Sequence, residues 1–110
     1  MKDATNLFFD AFANKNRFRI LTELRDKDFC AGELQKSLNI EQTHLSHNLK
    51  CLLDCKFINV RKDGKKRIYS INKETKGLVD EVIAHVEKYE EYLRRCGVLA
   101  GRRWKSTNTQ

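Results

Sequence analysis

The sequence predicts a mainly α-helical domain with one β-hairpin, a winged helix-turn-helix of about five helices and two strands. Three observations predict this fold class. Apolar residues recur at helical spacing over most of the chain, and a helical stretch studded with polar residues spans 42–55. Two β-rich runs follow it directly, joined by a basic turn. Since a helix fits the DNA major groove and a cationic hairpin can reach flanking phosphates, this order favours DNA binding.

Three helices are predicted before the polar one. Apolar spacing predicts the first over residues 5–13. Asn14 is a plausible N-cap for the second, which runs to about residue 25, because its side chain can accept from free amides in the first turn. The third is short, residues 31–38, and Asn39 is expected to end it, since asparagine tolerates a left-handed backbone.

The fourth helix, residues 42–55, has distinct inner and outer faces. Leu45, Leu49 and Leu52 follow one another at i, i+4 and i+7 and therefore predict the inner face. Most polar side chains should then point outward, where glutamine and histidine can address base edges and serine, threonine and lysine can anchor phosphate. The candidate DNA contacts on this helix are Gln42, Thr43, His44, Ser46, His47 and Lys50.

The hairpin is predicted from a type I′ turn signal, Asp63-Gly64, between two β-rich runs. Counting outward from this turn places Val60 opposite Arg67 and then Ile58 opposite Tyr69. One face should carry the core residues Ile58, Val60, Tyr69 and Ile71. The tip should carry the remaining candidate DNA contacts, Arg61, Lys62, Lys65, Lys66 and Arg67.

A long last helix is predicted from about residue 76 to residue 96. Its apolar residues repeat at steps of three and four, at Val79, Val82, Val86, Tyr89 and Leu93. A partner helix would be a natural cover for this stripe, and packing against the chain's own first helix is the alternative. A homodimer that uses both the first and the last helix satisfies both interpretations.

Composition and charge are consistent with one small domain that has a polyanionic partner. The 110 residues carry a net charge of +7, and six basic residues and one acidic residue lie between positions 56 and 67. Nucleic acid is the favoured partner, and a merely solvated basic surface is the alternative. We expect a domain over residues 1–97 and a mobile basic tail over 98–110. No membrane span or signal-peptide pattern is visible, so the expected location is the cytoplasm.

Two stretches resemble the ArsR/SmtB (arsenic-repressor) family of small winged-helix regulators. The family signature Leu-x-x-Pro-x-Arg-x-x-Ile-Leu-x-x-Leu is similar to residues 12–24, with Lys15 in place of proline. A second signature, Ser-Gln-Ser-x-Val-Ser-x-His-Leu-x-x-Leu, is similar to residues 41–52. Lys56 stands where the family usually has glycine, so a strained left-handed backbone is expected there. The resemblance implies a homodimeric repressor that releases operator DNA when an inducer, often a metal, binds.

The family's metal sites can be compared with this sequence residue by residue. Cys30 retains the first thiol of a Cys-x-Cys site in the third helix, and His85 lacks the companions of the last-helix site, so both sites look absent. The pair Cys51 and Cys55, with Cys96 as a third thiol, resembles the cadmium/lead-sensing branch. The resemblance implies Cd, Pb or Zn as an effector, since thiolates select soft or borderline ions. The alternative is that these cysteines are small packing residues.

Two classes of function are carried forward from the sequence. The first is a homodimeric DNA-binding repressor, with or without a metal effector and with no cofactor required. The second is a winged-helix module for protein assembly, in which the basic hairpin only improves solubility. An enzyme is not expected, because no nucleophile–base pair, phosphate loop or paired-carboxylate motif stands out.

Overall fold

The computed structural model describes residues 2–96 of the chain. Its elements, in chain order, are α1 (Lys2–Phe12), α2 (Lys15–Asp26), β1 (Phe29–Cys30), α3 (Ala31–Leu38), α4 (Gln42–Asp54), β2 (Ile58–Asp63), β3 (Lys66–Ile71) and α5 (Lys73–Lys88). A turn at Tyr89 is followed by further helical residues, 90–96. The chain divides into two compact units between Val79 and Asp80. The predicted tail, residues 98–110, lies outside the described residues.

Asparagine residues mark several of the helix boundaries. The Asn14 side chain accepts from the backbone amides of Asn16 and Arg17, at 3.0 and 3.1 Å, which confirms it as the N-cap of α2. Asn39 ends α3 with a left-handed backbone, φ 53° and ψ 51°, as predicted. α5 begins at Lys73 rather than at 76, because Asn72 accepts from the amide of Glu74 at 2.9 Å and so caps an earlier turn.

The core of the first unit is built from the inner faces of α2, α3 and α4. The three leucines predicted to face inward from α4, Leu45, Leu49 and Leu52, are at most 3 % exposed, which confirms that prediction. They lie with the buried side chains of Ile20, Leu21, Leu24 and Leu34. Each such side chain contributes about 1.5–3 kcal/mol on burial, so these residues hold the three helices together.

An aromatic cluster joins α1 to the base of the hairpin. The rings of Phe8 and Phe12 are stacked at 5.3 Å, and the ring of Phe57 meets that of Phe8 edge-on at 5.4 Å. Phe18 of α2 contacts Phe12 in the same way at 5.6 Å. Such aromatic pairs add about 0.5–1.5 kcal/mol beyond their area burial. The inner face of α1 is therefore fixed on the domain.

The sheet has three strands, and the prediction of two strands was wrong. Its order is β1-β3-β2, with Phe29 of β1 paired with Tyr69 and Cys30 paired with Ile68. β1 contains two residues, too few for any alternation of apolar and polar side chains to be recognised. It pairs with residues 68–69 on the outer edge of β3, so the hairpin is joined to the rest of the domain through that strand.

The predicted register of the hairpin was wrong by two residues. Ile58 pairs with Ile71 and Val60 with Tyr69, and the loop consists of Gly64 and Lys65. Gly64 has φ 66° and no left-handed angle occurs at Lys65, which is the type II′ pattern, with glycine first, and not type I′. A shift of two residues leaves every side chain on its original face. The predicted inner face is therefore confirmed, with Ile58 and Tyr69 buried and the other two half-buried.

Lys56 joins α4 to the hairpin in a left-handed conformation, with φ 65°, as the sequence comparison predicted. Its amide donates to the carbonyl of Leu53 at 3.0 Å, and the next amide, of Phe57, donates to Leu52 at 3.0 Å. These bonds close the end of α4 and leave residue 56 little freedom to relax. A lysine at such an angle costs about 1–2 kcal/mol, because its Cβ approaches the following carbonyl.

We expect Lys56→Gly to stabilise the protein by about 1 kcal/mol, since glycine removes that clash. The measurement is urea unfolding followed by circular dichroism. Lys56→Ala is the matched control, because it removes the same side chain and keeps the Cβ. Equal stability changes in the two variants would contradict the assignment of strain.

Candidate nucleic-acid interface

The outer face of α4 presents a continuous polar surface. All six candidate DNA contacts on this helix are exposed, because its leucines occupy the opposite, buried face. Two of these side chains contact a carboxylate on the same surface: His44 Nε2 lies 3.9 Å from Glu41 Oε1, and Lys50 Nζ lies 3.2 Å from Asp54 Oδ2. Exposed contacts of this kind contribute about 0–1 kcal/mol, so these side chains are available to a ligand.

Asn48 is the polar residue of α4 that does not face outward, and it was not identified from the sequence. It is buried, and its Oδ1 accepts from Arg17 Nε of α2 at 3.0 Å. Arg17 Nη1 donates in addition to the backbone carbonyl of Asp10 in α1, at 3.0 Å. One guanidinium thus connects three helices. The available signal was a polar residue placed between inward-facing leucines, which requires a buried partner.

The hairpin carries its basic residues on an exposed surface. Lys62, Lys66 and Arg67 lie on the last two residue pairs before the turn, and Lys65 is in the loop. All are exposed. Arg61 was predicted at the tip, but it pairs with Ile68 farther back, and its Nη1 contacts Asp28 Oδ2 at 2.8 Å. The charge of Arg61 is therefore partly neutralised. The same contact joins the hairpin to the segment that precedes β1.

Cys51 in the last turn of α4 and Cys55, the C-cap residue of this helix, lie four residues apart and are both half-buried. Burial is the largest factor that raises the pKa of the Cys55 thiol, and the neighbouring Cys51 raises it further through charge repulsion and a hydrogen bond. The positive charge of Arg17 opposes this rise in pKa but is outweighed. The environment therefore favours the neutral thiol at Cys55.

The other candidate ligands lie on other elements of the chain. Cys96 is exposed, and Cys30 lies at the start of α3, where its amide donates to Glu33 Oε1 at 2.9 Å. This hydrogen bond is the main reason that the pKa of Glu33 is lowered. The ring of His85 contacts that of Tyr89 at 4.7 Å. Within residues 2–96, no three histidine, cysteine or carboxylate side chains are grouped as metal ligands.

Within residues 2–96, large apolar side chains are exposed in α1 and from α5 onward. In α1, Leu7 and Phe9 are 65 % and 56 % exposed, although the ring of Phe9 contacts that of Phe8 at 5.2 Å. From α5 onward, the exposed apolar residues are Leu78, Val82, Val86, Tyr89, Tyr92 and Leu93, and Val79 of the predicted stripe is buried. Among residues 2–96, no helix has both the length and the apolar character that a membrane span requires.

Known proteins are similar to this chain in both sequence and fold. Residues 14–60 match the family model described as bacterial regulatory protein, arsR family. The arsenical resistance operon repressor of Staphylococcus aureus is 30 % identical over 84 residues, which are 76 % of this chain and 78 % of that protein. The probable mercury resistance operon repressor of Streptomyces lividans is 35 % identical over 69 residues, 63 % of this chain, and the match spans 55 % of that relative's length. The crystal structure of Rv0081 from M. tuberculosis superposes with a TM-score of 0.71 at 28 % identity, covering 88 % of this chain and 95 % of that one.

We expect Cys55 to be alkylated more slowly than the exposed Cys96 at neutral pH. A raised pKa means that less of the reactive thiolate is present at a given pH. The alkylation rate of Cys55 should therefore begin to rise only at a higher pH. Timed iodoacetamide labelling with peptide mass spectrometry measures both sites in one sample. Cys51→Ser should move the Cys55 profile toward lower pH, and an unmoved profile would show that Cys51 does not contribute.

Proposed function

Because the chain belongs to the arsR family of bacterial regulatory proteins, we propose that it is a homodimeric repressor that reads operator DNA with α4 and holds its backbone with the hairpin. Its fold is the winged helix-turn-helix. The members of this family are regulators and not enzymes, in agreement with the sequence prediction. The observation that carries the proposal is the exposed polar face of α4, held rigidly over a leucine core and next to a basic hairpin.

The roles proposed within the interface follow from exposure and chemistry. On α4, Gln42 and His44 are the candidate base readers, because both can bond to base edges in the major groove. Thr43, Ser46, His47 and Lys50 are proposed to contact bases or phosphates around them. Four hairpin cations, Lys62, Lys65, Lys66 and Arg67, are proposed phosphate contacts, and Arg61 would support them from its position beside Asp28.

Dimerisation is proposed through the exposed apolar surfaces of α1 and α5. Soluble proteins rarely leave several neighbouring large apolar side chains in water, and such patches mark interaction sites. A second copy of the chain is the proposed cover, because a dimer also presents two α4 helices to two half-sites on DNA. The rival function, a protein-assembly module, would use the same apolar surfaces without binding DNA. A gel shift with a salt titration separates the two functions.

A soft-metal effector at Cys51, Cys55 and Cys96 is the finer part of the proposal. The i, i+4 pair supports it, because two thiols of one helix face can reach one ion. One feature of the described residues fits poorly: the pKa of Cys55 is raised, whereas a metal requires thiolate. The regulator without a metal effector therefore remains the alternative, and titration of the reduced protein decides between them.

We expect alanine at Gln42 or His44 to weaken operator binding by about 1–3 kcal/mol and random-duplex binding far less, since lost base contacts affect only the correct sequence. Fluorescence anisotropy with an operator obtained by in vitro selection, and with a scrambled duplex of equal length, measures both. Equal losses on the two duplexes would contradict the assignment of these residues as base readers.

We expect Val82→Asp to dissociate the dimer, because burying an unpaired carboxylate at an apolar interface costs several kcal/mol. Sedimentation velocity at micromolar concentration measures the change, and circular dichroism reports whether the variant is folded. Glu81→Asp is the control at the adjacent exposed position. A wild-type chain that sediments as a monomer would overturn the dimer proposal whatever the variant does.

We expect Cd added to reduced protein to produce ultraviolet thiolate-to-metal absorbance and to weaken DNA binding, and serine at Cys51 or Cys55 to abolish both effects. Allosteric coupling of about 1–3 kcal/mol would be sufficient for such a switch. Cys30→Ser is the matched control, because Cys30 lies outside the proposed site. If Cys51→Ser binds Cd as tightly as wild type, the two thiols of α4 are packing residues.

A further inference from the structure

A surface groove lies between the first turn of α2 and the outer face of α4. Its walls carry hydrogen-bond donors from both helices and no carboxylate. The side chains used below are Asn16, Arg17, Thr43, His44 and His47, all of which line it. This groove was not anticipated from the sequence, because residues 16–17 and 43–47 are brought together by the packing of α4 on α2.

Arg17 gives this groove a fixed positive charge. Two of its three guanidinium nitrogens are already held, Nε by the Asn48 side chain and Nη1 by the Asp10 carbonyl, both at 3.0 Å. Both acceptors are neutral, so they orient the guanidinium without cancelling its charge. No carboxylate lies within ion-pair distance of Arg17 among residues 2–96. The third nitrogen, Nη2, has no protein acceptor in the part of the chain that the structure describes.

An oriented, half-buried cation without a counter-ion is costly unless it meets an anion. Burial removes water from the guanidinium, and the two neutral hydrogen bonds restore only part of that loss. Arg19 of the same helix does not share this state, because it is more exposed and donates to the Leu38 carbonyl at 2.7 Å. A guanidinium with free donors suits the oxygens of a phosphate group, which it can bind through two parallel bonds.

We propose that this groove binds a phosphate group of the DNA backbone, with Arg17 as its principal ligand and Asn48 as the positioning residue. The inference rests on the proposed function, because the DNA would reach the groove along the exposed face of α4. His44 and His47 lie on the boundary between the groove and that face, so a phosphate in the groove would fix the register in which α4 meets the bases. A free inorganic anion has the same chemistry and is the other possible source.

The test measures how DNA affinity depends on salt, since each phosphate contact adds about 0.9 to the log–log slope on duplex DNA. We expect Arg17→Gln to lower the slope by about 1 on operator and on random duplex alike. Arg17→Lys should keep most of the slope but lose affinity, because one ammonium cannot hold Asn48 and Asp10 and still reach the phosphate. Lys65→Ala/Lys66→Ala is the reference variant that removes proposed phosphate contacts elsewhere.

A series at Asn16 keeps the test informative if Arg17 variants do not fold. Asn16 is half-exposed, and its backbone amide, not its side chain, provides the bond to the Asn14 cap. Asn16→Lys should tighten binding to random duplex and raise the slope, Asn16→Glu should do the opposite, and Asn16→Gln should change neither. Circular dichroism verifies the fold of each variant.

The outcomes separate the inference from the function on which it rests. A folded Arg17→Gln with the wild-type slope, or an Asn16 series without dependence on charge, overturns the phosphate site and leaves the DNA-binding function intact. A wild-type chain that binds no duplex overturns the proposed function itself. If inorganic phosphate raises the Tm of the wild type but not of Arg17→Gln, while their DNA slopes agree, the groove serves a free anion and the DNA assignment is wrong.

Discussion

The hydrogen bond from Arg17 to Asn48 is the constraint on which the orientation of α4 depends. Burial of Leu45, Leu49 and Leu52 holds this helix on the domain, but apolar attraction has no direction and tolerates small rotations. A hydrogen bond weakens steeply when its angle changes, and a buried asparagine that loses its partner costs about 1–3 kcal/mol. The bond therefore selects one rotation of α4 about its axis. The same guanidinium also bonds to the Asp10 carbonyl, so α1, with its exposed apolar surface, is tied to the helix that carries the polar face.

The hairpin is positioned by its base and leaves its tip exposed. Phe57 is held in the aromatic cluster, β1 pairs with one edge of β3, and Arg61 contacts Asp28 across 2.8 Å. None of these contacts involves the loop, Gly64-Lys65. The base of the hairpin is thus fixed beside α4 while the cationic side chains near the loop stay exposed, which suits a role in phosphate affinity better than one in sequence reading. The left-handed Lys56 sets the angle at which the hairpin leaves α4, and its strain is compensated by the packing on either side.

Arg17 also links the interface electrostatically to the two thiols of α4. Its charge acts to lower the pKa of Cys55, while burial and Cys51 act more strongly to raise it. A modification or ligand that removed the proton from this pair would place negative charge near the guanidinium that orients Asn48. The raised pKa sets the cost of that step, because the thiolate must form in surroundings that disfavour it.

The sequence by itself determined the helices, the faces of α4 and of the hairpin, and the family, because these follow from local periodicity, capping side chains and short motifs. Asn14, Asn39 and the leucines of α4 act through neighbours within one or two turns, so their roles could be predicted. Tertiary structure decided the rest. The pairing of β1 joins residues 29–30 to 68–69. The register of the hairpin depends on whether its two-residue loop is Asp63-Gly64, as predicted, or Gly64-Lys65, as observed. The Arg17–Asn48 bond joins positions 31 residues apart, and the groove beside it exists only where two helices meet. No periodicity encodes such contacts, since their geometry is set by how the whole core packs.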